Sequence, residues 1–199
     1  LILLRNLRAF RIITLIISVS LIIIISINDP DIKERNIDFT IDQLGLSESS
    51  SKINIFSPIH ESLIYTSFNI FTSSPLTGIG PNNFRNLCDD IEFSIDSRSC
   101  STHPHNLYAQ VLSEIGLIGL LFIFIINIIL IVKILKYMFF YFGKRIYIMN
   151  DFQICLLCCF FLTLWPLAPS LNFFNNWVNI IYFLPIGFYL HSVYGNDIK

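Results

Sequence analysis

Charged residues are scarce, making up only 14% of the 199 residues against about 25% in an ordinary soluble domain, and the mean hydropathy is +0.65. That balance argues against a purely soluble protein. Positive charge is not in excess either. The 13 Lys and Arg stand against 14 Asp and Glu, a formal net charge of −1, so nothing calls for a nucleic-acid partner. The glycine-rich turn Gly78-Ile79-Gly80 lacks the Lys-Ser/Thr ending of a nucleotide P-loop and follows no strand-like run, which argues against a nucleotide cradle. What the chain has in quantity is apolar bulk: 54% hydrophobic residues, with 19 Phe and long isoleucine runs.

Four segments read as transmembrane helices, for which about 20 residues cross ~30 Å of hydrocarbon. They run from about Ala9 to Ile27, Leu107 to Val132, Phe152 to Leu171 and Trp177 to Tyr194. The first begins close to Leu1, with no Met before it, so further chain is expected on its N-terminal side. It is too long for a signal peptide, and its C-terminal flank lacks the cleavage pattern. Lys and Arg flanks stay cytoplasmic. Arg5, Arg8 and Arg11 precede the first span, and Lys133, Lys136, Lys144 and Arg145 lie between the second and third. The stretch between the first two spans carries eleven acidic residues against five basic ones and is expected to face outside. The expected organisation is therefore residues 1–27 as a first helix with its cytoplasmic flank, 28–106 as an outer loop, 107–194 as three further helices and 195–199 as a cytoplasmic tail.

Within the loop, Asn28 to Ser51 is polar, low in aromatics and serine-rich at its end, the composition of a flexible connection without chemistry. Ser57-Pro58 suits a helix N-cap and first turn. It leads into a helix to Phe71 whose Ile59, Leu63, Phe68 and Phe71 form the apolar stripe of a packing or interfacial element. His60 on this helix is a candidate substrate contact. Ser74-Pro75 ends it, and Gly78, Gly80 and Pro81 impose a turn whose backbone N–H groups can approach an anion just before Arg85.

The loop closes with Ser101-Thr102-His103-Pro104-His105-Asn106. Pro104 suits the first turn of a helix, which would set His105 among unpaired backbone donors at the positive dipole end. Anions are favoured there and imidazolium is not, so His105 would be available as a neutral proton acceptor. The alternative is a histidine that only caps the helix or sits at the interface.

Taken together, these motifs resemble the O-antigen ligase and O-antigen polymerase family of membrane glycosyltransferases. His105-Asn106, nine further residues and then Gly116-Leu117-Ile118-Gly119 match that family's histidine motif. Pro75 and Gly78 to Arg85 look like its preceding Pro-x-x-Gly-x-Gly segment with an arginine. The resemblance implies an all-α polytopic membrane protein, a helical bundle with a long, partly helical periplasmic loop, in the bacterial inner membrane. This chain would be the C-terminal part of such a protein and incomplete alone. The implied reaction needs no cofactor and no metal. A glycan passes from an undecaprenyl-pyrophosphate carrier to a hydroxyl of lipid A-core or of another carrier-linked glycan, with inversion, beside membrane lipids. His105 would be the general base and Arg85 would hold the pyrophosphate. Asn106 either orients the histidine, contacts glycan or caps the helix, while His103 and Glu114 join His60 as candidate sugar contacts. Gly116 and Gly119 are expected to allow close helix packing. Asn172, Asn175 and Asn176 resemble the family's final outer loop and are explained by turn formation.

Cys88 and Cys100 bracket the segment between the arginine and the histidines and, in an oxidising compartment, read first as a disulfide. The rival is zinc held with His103 and His105, although the Cys-to-Cys gap is unlike a zinc knuckle. Cys155, Cys158 and Cys159 read as packing residues of the third span. A transporter or flippase for the same lipid-linked glycan could use Arg85 but has no need of a base at His105. A non-catalytic scaffold leaves both motifs unexplained.

Overall fold

The computed structural model describes residues 7–46 and 55–195. Arg5, the serine run 47–51 and the tail 196–199 lie outside them. The described residues are helical, without strands, and fall into two compact units, Leu1–Glu61 and Ser62–Lys199.

In the first unit, α1 (Arg8–Asn28) is aliphatic on every side and, at 21 residues, ~32 Å long. The following stretch departs from the flexible connection expected of it. Asp29 caps α2 (Pro30–Lys33) by accepting from the N–H groups of Asp31 and Ile32, and Pro30 takes the first turn. Asp29 and Asp31, although spaced as a metal-binding Asp-x-Asp, thus form a helix start. A π-helical turn, Glu34–Asp38, continues into α3 (Phe39–Gln43). The first turn of α4 (Pro58–Ser73) ends the unit, opened by Ser57 and Pro58 as the sequence predicts, with Glu61 N–H bonded to Ser57 O at 2.9 Å.

The rest of α4 belongs to the second unit. Its buried face is Ser62, Leu63, Thr66, Ser67 and Ile70, so of the expected stripe only Leu63 is buried there, while Phe68 is 53% exposed. The small hydroxyl residues let the helix sit close to the loop. Leu63 and Ile70 pack on Phe84, Cys88 and Phe93, and Ser62 donates to Asp96. Phe84 opens the short α5 (Phe84–Leu87).

The longest element is α6 (Leu107–Phe139), and it is broken: Gly116 has φ 74 and ψ −162, a conformation essentially confined to glycine. Segment 75–80 fills the break with backbone hydrogen bonds. Ile79 N–H and Gly80 N–H donate to the Ser113 and Glu114 carbonyls at 3.1 and 2.9 Å, and Leu117 N–H and Ile118 N–H donate to the Pro75 and Leu76 carbonyls at 2.9 and 3.4 Å. The glycines make this approach possible. A Cβ on Gly116 would lie 2.6 Å from Gly78 N and Leu76 O, and one on Gly78 would lie 2.6 Å from Glu114 O. The close packing expected of Gly116 is therefore against a loop backbone. The Cβ position of Gly119 meets Ile115 and Val111 of its own helix.

Among the described residues two helices, α1 and α6 with its π-helical extension to Lys144, are long and apolar enough to cross a membrane. The helices at the other two expected spans are shorter or less apolar than these. The third ends early, since α7 (Asp151–Thr163) has 13 residues, ~20 Å. Pro166 and Pro169 then stop the helix, by removing N–H donors and restricting the residue before each. α8 (Asn176–Tyr194) has 19 residues, but Asn179, Tyr182, Pro185 and His191 dilute its apolar character. Leu107, Val111, Leu130, Leu157, Phe160 and Tyr189 form the core of α6, α7 and α8.

Candidate functional site

The residues between Thr163 and Asn175 form a folded loop that grips the histidine segment. Asn106 is the N-cap of α6: its Oδ1 accepts from the N–H groups of Tyr108 and Ala109, and its Nδ2 donates to Pro166 O at 2.8 Å. Pro104 therefore precedes the helix instead of sitting in its first turn, and His105 lies one residue outside the cap. His105 has φ 55, a left-handed backbone uncommon outside glycine, fixed by Ser170 N–H donating to its carbonyl at 2.9 Å. Its half-buried ring stands 4.1 Å from that of His103, centroid to centroid, with Nε2 3.2 Å from Ser101 Oγ.

His103 is 6% exposed, with Nε2 3.2 Å from Ser170 O and Nδ1 3.0 Å from Thr102 Oγ1. The carbonyl can only accept, so Nε2 carries the proton and Nδ1 accepts from the threonine. Burial first, and the Arg85 charge as well, push His103 below the ordinary histidine value of 6.5, opposed by the bond to Ser170 O. A neutral His103 adds no positive charge beside His105.

Arg85 is exposed, and its Nε donates to Asn82 O at 3.2 Å. A buried polar chain lies behind it. Phe84 N–H donates to Glu114 Oε1 at 2.9 Å, and Glu114 Oε2 accepts from Gln110 Nε2 at 3.1 Å. Gln110 Nε2 also donates to Asn172 Oδ1 at 2.8 Å, and Asn172 Nδ2 donates to Asn82 Oδ1 at 3.0 Å. Asn82, like His105, is left-handed, with φ 60. Glu114 is 1% exposed and Gln110 0%. Glu114, expected at a sugar, is thus bonded inside the frame that carries Arg85, and Asn172 does more than form a turn. Sequence reasoning missed Asn82 and Ser170 and read Asn172 only as a turn residue, because their partners lie tens of residues away and no local pattern announces them.

One other expectation changes. Gly78, Ile79 and Gly80 direct their N–H groups to Ser74, Ser113 and Glu114 carbonyls, so this turn fastens a loop to a helix and presents no anion cradle. His60 lies in the first unit with Nδ1 2.7 Å from Ser57 Oγ, at the start of its own helix. Cys88 and Cys100 are joined as a disulfide, Cα to Cα 4.8 Å, which leaves no thiolate for zinc at this place. Cys100 Sγ lies 4.0 Å from Arg85 O, so the bridge braces the arginine segment.

The family model described as O-antigen ligase matches residues 1–124, from α1 through both motifs and into α6. The chain belongs to the O-antigen ligase family. Neither the curated proteins nor the solved structures give a match. Membership in the O-antigen ligase family brings glycan transfer of the ligase or polymerase type, lipid-linked glycan substrates in general and a membrane setting, which the two long apolar helices fit.

Proposed function

We propose that this O-antigen ligase family member transfers a glycan from undecaprenyl pyrophosphate to an acceptor hydroxyl at the periplasmic face of the bacterial inner membrane. The acceptor is lipid A-core for a ligase or a carrier-linked glycan for a polymerase. In this reading α1, α6, α7 and α8 are membrane helices and residues 28–106 are periplasmic. His105 takes the proton of the acceptor hydroxyl, whose oxygen attacks the anomeric carbon. The bond from that carbon to the phosphate oxygen breaks, and the pyrophosphate leaves with the electron pair. Arg85 offers paired N–H donors to the growing negative charge. One displacement inverts the sugar carbon and needs no metal. Asn106, His103 and Glu114 act as positioning residues, and His60 has no assigned step.

The observation that carries the proposal is the convergence of two motifs. Cys100 Sγ lies 4.0 Å from Arg85 O, Cys88 Sγ 3.8 Å from Ser101 O, and Ser101 Oγ 3.2 Å from His105 Nε2, so the arginine and histidine segments meet although His105 and Arg85 are 20 residues apart in sequence. The test is glycan transfer by the full-length protein in cells lacking their own ligase and polymerase, read by immunoblot. His105→Ala should abolish transfer at unchanged protein level, and the acceptor that gains glycan in the parent separates ligase from polymerase. Transfer that survives His105→Ala would overturn the base assignment, and a parent protein that gives no transfer would favour a lipid-linked glycan transporter.

A further inference from the structure

A helix broken within a bilayer must have its freed N–H and C=O groups satisfied by protein, because hydrocarbon offers no partner. The break at Gly116 meets that requirement through segment 75–80, which takes up the Ser113 and Glu114 carbonyls and the Leu117 and Ile118 N–H groups. The depth of the break follows from the sequence of α6. Lys133 is the first charged residue after Glu114, and about 20 residues are needed to cross ~30 Å of hydrocarbon. Counting back that many from Lys133 reaches Ser113, so Ile118 falls inside the outer edge of the hydrocarbon. Leu76, bonded through its carbonyl to Ile118 N–H, lies at the same level. Leu76 is 65% exposed, and on α6 just past the break Ile118, Leu121 and Phe122 are 62%, 54% and 65% exposed.

We propose that segment 75–80 is a lipid-embedded wedge of the outer leaflet, in which Leu76 touches acyl chains while the Gly78–Gly116 contact seals the broken helix. This rests on α6 crossing the membrane and not on the identity of the glycan reaction. The wedge ties the loop to a fixed depth and keeps Arg85, five residues beyond Gly80, near the headgroups, where a carrier pyrophosphate lies.

The test uses the full-length protein in vesicles of phosphatidylethanolamine and phosphatidylglycerol, with Cys155, Cys158 and Cys159 changed to Ala and the Cys88–Cys100 bridge intact. Nitroxides are attached after Leu76→Cys, Phe122→Cys as the lipid reference or Ile91→Cys as the water reference, the last at a side chain 98% exposed among acidic residues. Relaxation by oxygen, which partitions into lipid, is compared with relaxation by a water-soluble nickel chelate. The expected result is an oxygen-to-nickel ratio at position 76 several-fold above that at 91 and close to that at 122. A nickel-accessible label at 76 would overturn the wedge, as would a label shielded from both reagents, the mark of a protein contact. A nickel-accessible label at 122 would overturn the spanning assignment of α6 together with it. If Leu76→Cys fails to accumulate, Thr77→Cys serves as the second position and is read in the same way.

Discussion

Glu114 can be removed in two ways with different consequences. Its carboxyl group is 1% exposed and accepts from Phe84 N–H and from Gln110 Nε2. Glu114→Leu leaves the Phe84 N–H, behind a ring that is 0% exposed, without an acceptor, and removes one of two acceptors from the Gln110 amide. A buried unsatisfied donor costs about 1–3 kcal/mol, so the start of α5 should lose about 2 kcal/mol of local stability. Glu114→Gln keeps an oxygen for Phe84 but turns an amide NH2 toward that of Gln110. Gln110 cannot flip to relieve this, since its oxygen accepts from Phe173 N–H at 2.9 Å and its nitrogen donates to Asn172. The cost is one lost hydrogen bond, about 1 kcal/mol. Hydrogen exchange of residues 84–87 reads both values directly. It should speed up about 30-fold in Glu114→Leu and about fivefold in Glu114→Gln, since 1.4 kcal/mol is a factor of ten. Glycan transfer should fall in the same order, with Arg85 less well held. Unchanged exchange at Phe84 in Glu114→Leu would refute the reasoning, whatever happened to transfer.

Gly116→Ala should be among the most damaging single changes. The backbone conformation alone costs about 1–3 kcal/mol for a residue with a Cβ, and the clash with Gly78 adds to it; the check is protein accumulation and Tm in detergent. Opening the Cys88–Cys100 bridge with the double change to Ser releases a loop of sequence separation 12, worth about 3 kcal/mol in the chain-entropy model, and should raise protease sensitivity around Arg85. His103 gives a pH dependence of defined sign. Its folded value lies below the unfolded 6.5, so the unfolded chain binds the proton first; stability is full above 6.5 and declines as pH falls from there toward the folded value. Thermal melts should show that decline in the parent and lose this component in His103→Gln.

Local signals in the sequence carried well and distant ones did not. The first helix, the Ser57-Pro58 start and the beginning of α6 next to Asn106 depend on hydropathy runs and capping residues, and the helices observed begin within a residue or two of those positions. Cys88 and Cys100 were legible as a pair because few cysteines share one polar stretch. The break at Gly116 was not, since its energy comes from backbone partners 34 to 42 residues earlier and hydropathy continues across it unchanged. The early end of α7 was hidden because Leu164, Trp165 and Leu167 keep the run apolar while Pro166 and Pro169 end the helix. On α4 three hydroxyl residues share the buried face with Leu63 and Ile70 while Phe68 stays exposed, a pattern hydropathy alone does not mark. The motifs marked His105 and Arg85, but the frame behind them is made of amides that sequence alone cannot pair.

The chain of contacts from Phe84 through Glu114, Gln110 and Asn172 to Asn82 also sets how this protein can be recombined with its relatives. It draws on three separate stretches: the arginine turn, the first half of α6 and the loop before α8. A chimera that imports a foreign arginine turn alone would bring new side chains against an old Glu114 and Asn172. The three stretches form one module of exchange, and grafts that carry all of them should yield functional hybrids far more often than grafts that follow the order of the chain.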